Sequence, residues 1–335
     1  MSLRDPPEQR LHHDALFYED EDAVVEAGVP FVRAGLERGE TVLVHTARRP
    51  VTALLQALFS GEPGFVLLDE RVQRRPVALL DTCRRMLDRS APAGRPGGAV
   101  RGVRIFGHVD LDGALPWPEW VRYEAALEDA FARSPLRALC AFPLRGSGDE
   151  HPDELFGALR GAHRRLVSPT GPVPNQEYAD PAELVTRPGC APRPDRLQAR
   201  APALDLVPVE DLRGLRLDLY PLAIATHIAR ERVDDLVSAV EEVVGNAHRH
   251  GRPPVRVRVW PSAYKLVVSV TDQGDGIADP LLGYVRGRGD GSGGDGGRGG
   301  GGAGLGLWAA RQLCDTVDYS QGPDGFTVRL VATDL

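Results

Sequence analysis

Eight prolines fall between Ser168 and Ala203: Pro169, Pro172, Pro174, Pro181, Pro188, Pro192, Pro194 and Pro202. Each ring fixes φ and removes a backbone donor, so a run of this density supports neither a long helix nor a central strand. The run predicts a stiff, extended linker. It divides the 335 residues into a first domain over 1–167 and a second over 204–335. Two domains are also what roughly 150 residues per domain implies.

Ahead of the linker, short apolar runs alternate with stretches of helical spacing. Residues 41–45, 65–68, 103–106 and 136–142 read as buried strands. Residues 22–38, 51–59, 76–89 and 118–132 carry apolar side chains at helical intervals. This alternation predicts an α/β domain with a mostly parallel sheet and helices on both faces. Residues 91–98 read as a surface loop. After the linker come two helical stretches, 209–229 and 231–250, then strands at 255–259 and 266–271. Residues 284–304 are dominated by glycine, offer little to bury, and are expected to be mobile. A helix over 305–314 and a hairpin around the 322–325 turn close the chain.

Composition removes several functions. The formal net charge of -7 argues against a general nucleic-acid binder. No apolar run approaches the roughly 18 residues of a membrane span. The polar start, Met1 to Gln9, is no signal peptide, so a cytoplasmic location is expected. Cys83, Cys140, Cys190 and Cys314 are scattered and form no C-x-x-C pair, so neither a disulfide nor a zinc site is expected. Of the 40 basic residues only Lys265 is a lysine. It follows no glycine-rich turn and sits in no V-A-I-K strand, which excludes a P-loop and a eukaryotic-type kinase.

Three motifs carry chemistry. Glu242, Asn246 and His250 are spaced i, i+4, i+8, and form one polar stripe on a helix whose apolar set is Val233, Leu236, Val240, Val244 and Ala247. A solvated helix face is the plainer reading, although asparagine is a poor residue for a helix interior. Asp272-Gln273-Gly274-Asp275-Gly276 follows a strand directly. Aspartate and glycine suit an ordinary turn. They also suit a carboxylate that reads an adenine amino group, with glycines letting the backbone approach. Gly302-Ala303-Gly304-Leu305-Gly306-Leu307 heads a helix, where free N–H groups and the helix dipole favour phosphate.

Their order makes the set specific. It resembles the N, G1 and G2 boxes of the GHKL ATPase superfamily, whose domain is an α/β sandwich. Within that superfamily, Glu241-Glu242 through Asn246-Ala247 to His250-Gly251 resembles the anti-sigma-factor serine/threonine kinases, as does the tail 305–315. The resemblance implies ATP and Mg2+ as cofactors. It implies that Asn246 holds Mg2+, that Asp272 reads adenine beside Gly274 and Gly276, and that Gly304, Leu305, Gly306 and Leu307 cap the phosphates. It makes Glu242 the carboxylate that activates the attacking hydroxyl.

In the first domain, the run from His12 to Tyr18, residues 124–131, and residues 139–144 followed by His163 together resemble the MEDS sensory domain, which is RecA-like. Where that family often ends a strand on G-E-P, this chain has Phe106-Gly107-His108-Val109. His13, His45, His108 and His163 match no known metal-ligand spacing, so no metal is expected there.

The function implied is an ATP-binding anti-sigma regulatory factor with serine/threonine kinase activity toward a small antagonist protein, controlled by the first domain. The implied partners are a sigma factor and that antagonist, without nucleic acid or membrane; a homodimer is left open. Two rivals stand beside it: a sensor histidine kinase, and a non-catalytic module that holds ATP and a partner.

Overall fold

The computed structural model describes residues 11–46, 49–69, 75–90, 102–109, 117–144, 152–168, 170–286 and 302–334. The chain separates into two compact units, Met1–Cys190 and Ala191–Leu335.

The first unit is built on a seven-stranded sheet of order β3-β2-β4-β5-β1-β6-β7. Its strands are β1 (His12–Tyr18), β2 (Thr41–Thr46), β3 (Phe65–Leu67), β4 (Val103–His108), β5 (Leu136–Pro143), β6 (Arg165–Ser168) and β7 (Gly171–Pro174). Every pairing is parallel except β6 with β7. Four of the helices are α1 (Glu21–Glu37), α2 (Arg49–Phe59), α3 (Pro76–Ser90) and α4 (Trp117–Phe131). Alternation along the strands sends successive side chains to opposite faces. Val42, Val44, Phe106, Leu139 and Ala141 pack with Val24 and Val32 of α1 and Leu55 of α2. On the opposite face, His13 of β1 reaches Glu124 and Glu128 of α4. The expected mostly parallel sheet, covered on both faces, is therefore present.

Residues 168–203, expected as a linker, hold short elements. Their first half belongs to the first unit and their second half to the second. Pro172 and Pro174 lie in β7, an edge strand, where a missing donor is tolerated. The next helices are α5 (Pro152–Gly161) and the short α6 (Pro181–Val185). Pro181 opens α6 behind Asp180, which caps the N–H groups of Ala182 and Glu183. Leu184 and Val185 of α6 are buried. Beyond Cys190, Asp195 caps a 3-10 turn over Arg196–Ala199. Asp195 also pairs with Lys265, so the sole lysine serves this contact in the second unit.

The second unit is an antiparallel sheet of order β11-β12-β10-β9-β8. Its strands are β8 (Leu204–Leu206), β9 (Arg256–Pro261), β10 (Lys265–Asp272), β11 (Thr316–Gly322) and β12 (Gly325–Thr333). The helices α7 (Leu212–Ile224), α8 (Arg230–His250) and α9 (Gly302–Leu313) cover one face. Val233, Leu236, Val240, Val244 and Ala247 are all buried there against Leu266, Val268 and Val270 of β10. On the other face Trp260, Val267 and Val331 form a small cluster with Leu197.

No helix among the described residues is long and apolar enough to cross a membrane. Residues 287–301, most of the expected mobile segment, lie outside the described residues. The segment's start is corrected: Tyr284 and Val285 are buried, and the Arg311 guanidinium lies 3.9 Å from the Tyr284 ring centre.

Candidate functional site

The second unit brings its three motifs to one end of the helical layer. α8 supplies Glu242 and Asn246, β10 ends on Asp272, and α9 begins with the glycine-rich segment. Arg232 near the start of α8 fixes α9 in place. It donates to the carbonyl of Leu313 at 2.9 Å and pairs with Asp315, whose other oxygen accepts the N–H of Thr333 at 2.7 Å. A cation on the last carbonyls of a helix also suits the helix dipole.

Asn246 lies against α9. A Cβ built on Gly306 would overlap the Asn246 amide nitrogen, so any side chain there would have to displace the Asn246 amide. The Asn246 Oδ1 accepts from Arg249 at 2.8 Å, whereas its buried Nδ2 has no hydrogen-bond partner. An orphaned buried donor costs about 1–3 kcal/mol.

Asp272 shares its strand face with Val268 and Val270, toward the helices, and is itself buried. Its Oδ1 accepts the N–H of Gly274 at 2.6 Å and of Arg252 at 3.2 Å. Its Oδ2 accepts no hydrogen bond among the described residues. Gly251 and Gly274 both press on this carboxylate so closely that a Cβ on either would clash with it. Gly276 has φ +82°, a conformation that favours glycine, and packs on Phe326.

Of the G2 residues, Gly304 and Leu305 lie in the first turn of α9, where helix N–H groups lack internal acceptors. Leu307 is buried in the core and Leu305 is exposed. The adjacent glutamates on α8 differ sharply. Glu241 is held by a two-pronged pair to Arg216 of α7, both contacts 2.8 Å. Glu242 is exposed and makes no hydrogen bond or ion pair among the described residues.

The residues present fit a nucleotide. The orphaned Asn246 amide, the free Asp272 oxygen and the glycine contacts leave polar groups and close backbone approach at one end of α8. Sequence reasoning missed Arg249, which steers Asn246, and Arg252, whose N–H holds Asp272. Neither carries a signal, because each acts through a neighbour that only folding supplies.

In the first unit, the four histidines noted in the sequence separate. His108 bonds to Tyr18 and Thr46, and His45 lies beside Trp120. His13 and His163 come together, ring centres 4.1 Å apart, with Glu124 and Cys140. Two of the four histidines are thus neighbours in the fold, a grouping that their spacing in the sequence did not show.

A family model described as MEDS, the MEthanogen/methylotroph, DcmR Sensory domain, matches residues 12–163. A second, described as histidine kinase-like ATPase domain, matches residues 208–332. No curated protein matches the chain.

Proposed function

We propose that this chain, in which a MEDS sensory domain precedes a histidine kinase-like ATPase domain, is an ATP-dependent anti-sigma-type regulator. It transfers phosphate to a serine or threonine of a small antagonist protein, and it holds a sigma factor as its second partner. The first domain biases that switch. The observation that carries the kinase reading is the contrast on α8: Glu241 is engaged by Arg216, while Glu242, one turn before Asn246, is unengaged and exposed.

ATP with Mg2+ supplies the phosphoryl group and the charge that stabilises its transfer. Asn246 would hold the metal through Oδ1, in place of the Arg249 contact, and its unpartnered Nδ2 would donate to a phosphate oxygen. Asp272 would accept from the adenine amino group through Oδ2, with Gly274 and Gly276 beside it. Gly304, Leu305, Gly306 and Leu307 would face the phosphates at the start of α9. Glu242 would take the proton of the attacking hydroxyl, which requires hydrogen-bond reach of it.

A sensor histidine kinase would place a phosphoacceptor histidine on a dimerising helix pair before the ATPase domain. Between α5 and α7 the described residues hold short strands, one five-residue helix and 3-10 turns. That favours the anti-sigma reading.

Transfer of radiolabel from the γ-phosphate of ATP to a co-purified partner tests it. Wild type labels serine or threonine on the partner. Glu242→Gln keeps ATP affinity but lowers transfer by about 100-fold or more, the usual contribution of a general base. Glu241→Gln changes neither. Equal transfer by Glu242→Gln would remove the proposed base, and ATP binding with no transfer by wild type would leave a binding-only module.

A further inference from the structure

We propose that His13, Glu124, Cys140 and His163 bind one divalent cation of the Zn2+ class, in a closed site inside the first unit. The four side chains come from β1, α4, β5 and the turn after α5, and all four are buried. One ligand atom from each lies within 4.8 Å of the other three. His13 Nε2 is 3.0 Å from Glu124 Oε2, and Cys140 Sγ is 3.4 Å from that same oxygen. Cys140 Sγ is 3.7 Å from His13 Nε2, and His163 Nε2 is 3.6 Å from Glu124 Oε2. Zinc bonds of roughly 2.0–2.3 Å give a tetrahedron with edges of about 3.3–3.8 Å. These four separations therefore need only small shifts to close around an ion.

The surroundings of the two imidazoles point the same way. A metal-binding histidine characteristically gives its other ring N–H to a carboxylate or a backbone carbonyl, which fixes the tautomer. His13 Nδ1 bonds Glu128 Oε2 at 3.1 Å, and Arg164 in turn pairs with Glu128. His163 Nδ1 donates to the Leu159 carbonyl at 2.7 Å. Both rings thus turn Nε2 toward the same point, where the thiol and the Glu124 carboxylate also meet.

The plainer arrangement is an ion pair of protonated His13 with Glu124 and Glu128. It accounts for His13 but not for His163. His163 Nε2 and Glu124 Oε1 are fully buried and have no hydrogen-bond partner. Buried unpaired polar atoms are costly, and the His163 nitrogen faces Glu124 Oε2 at 3.6 Å, too long for a hydrogen bond and of a length that an ion between them would span. A cation there satisfies the His163 nitrogen and the carboxylate together. Four protein ligands leave no open position, so the site is structural and ties β1, α4, β5 and the end of α5 together. Binding requires Cys140 as thiolate and His13 neutral, so protons leave as the metal enters.

The test uses the full chain, with Zn2+ and Co2+ as probes. Purified wild type, dialysed against buffer freed of metal, is expected to retain about one Zn2+ per chain by elemental analysis. Exchange for Co2+ should produce the sulfur-to-cobalt absorption of a thiolate ligand. That band should vanish in Cys140→Ser and persist in Cys83→Ser, which alters a buried thiol elsewhere in the same unit. His163→Ala should lower metal content at least tenfold under the same dialysis. Folded wild type that holds no Zn2+ and gives no thiolate–cobalt band overturns the proposal without any variant. A band that survives Cys140→Ser overturns it as well.

Discussion

At Asp272 the two carboxylate oxygens have different surroundings, which makes one substitution informative. Oδ1 holds the turn through Gly274 and Arg252, and Oδ2 is free of hydrogen bonds among the described residues. Asp272→Asn can keep an oxygen at the first position and so keep the fold. It then presents an amide N–H₂ where the adenine amino group needs an acceptor. Loss of a hydrogen bond to a charged group costs about 1.5–3 kcal/mol, so calorimetry should show ATP affinity reduced about tenfold or more. Asn246→Ala should also remove Mg-ATP binding without unfolding α8, whose apolar face it leaves intact. Gly306→Ala acts from the opposite side, because its new Cβ overlaps the Asn246 amide. It should weaken ATP binding by displacing the Asn246 amide, and crowding in this packed contact should cost up to about 1–3 kcal/mol of stability. Unchanged affinity in all three variants would take the nucleotide away from this end of α8.

Whole elements were legible in the sequence where one face is continuously apolar. The position of α8 follows from its 3.6 repeat and that of β9 from the alternation of Val255, Val257 and Val259, whereas β10 is legible as a continuous apolar run buried on both faces and the β11–β12 hairpin by its turn. β1 was not legible. It begins His12-His13-Asp14, three polar residues, and a strand of that kind is buried only because Glu124, Glu128 and Arg165 arrive from far along the chain. The candidate nucleotide residues were recognisable by type and spacing, whereas the Gly306–Asn246 contact depends on how α9 packs and has no local signature. Tyr284 was obscured in another way, by the glycine tract that follows it. Its ring is 1% exposed, and the 281–285 segment also buries Leu281, Leu282 and Val285. Tyr284→Ala should therefore destabilise the second unit by about 3–5 kcal/mol, the usual cost of removing a buried aromatic ring. Thermal unfolding followed in the second unit alone checks this, and a change within about 0.5 kcal/mol, as for a surface residue, would show that the ring is not part of the core.

At the scale of the whole molecule, the division at Cys190 and Ala191 decides which fragments stand alone. A cut at 167, where the proline run begins, would strip β7 and α6 from the first unit. It would remove the buried side chains of Leu184 and Val185, and the Cys190 carbonyl that accepts from buried Arg122 at 2.6 Å. Burying two such side chains is worth about 1.5–3 kcal/mol each, a large share of the roughly 5–15 kcal/mol that holds a domain together. A cut at 203 would likewise remove Asp195 from Lys265, and the Arg200 carbonyl that accepts from Trp260 at 2.9 Å. Fragments 1–190 and 191–335 should each unfold in one cooperative transition. Fragment 1–167 should lose most of its stability in urea. Ligand linkage then separates the two units: ATP at about 100 times its Kd adds roughly 2.7 kcal/mol to whichever fragment binds it. That increment should appear in 191–335 and be absent from 1–190, because the first unit has no lysine with which to build a P-loop. A melting temperature of 1–190 that rises with ATP would place a nucleotide site in the first unit, contrary to this assignment.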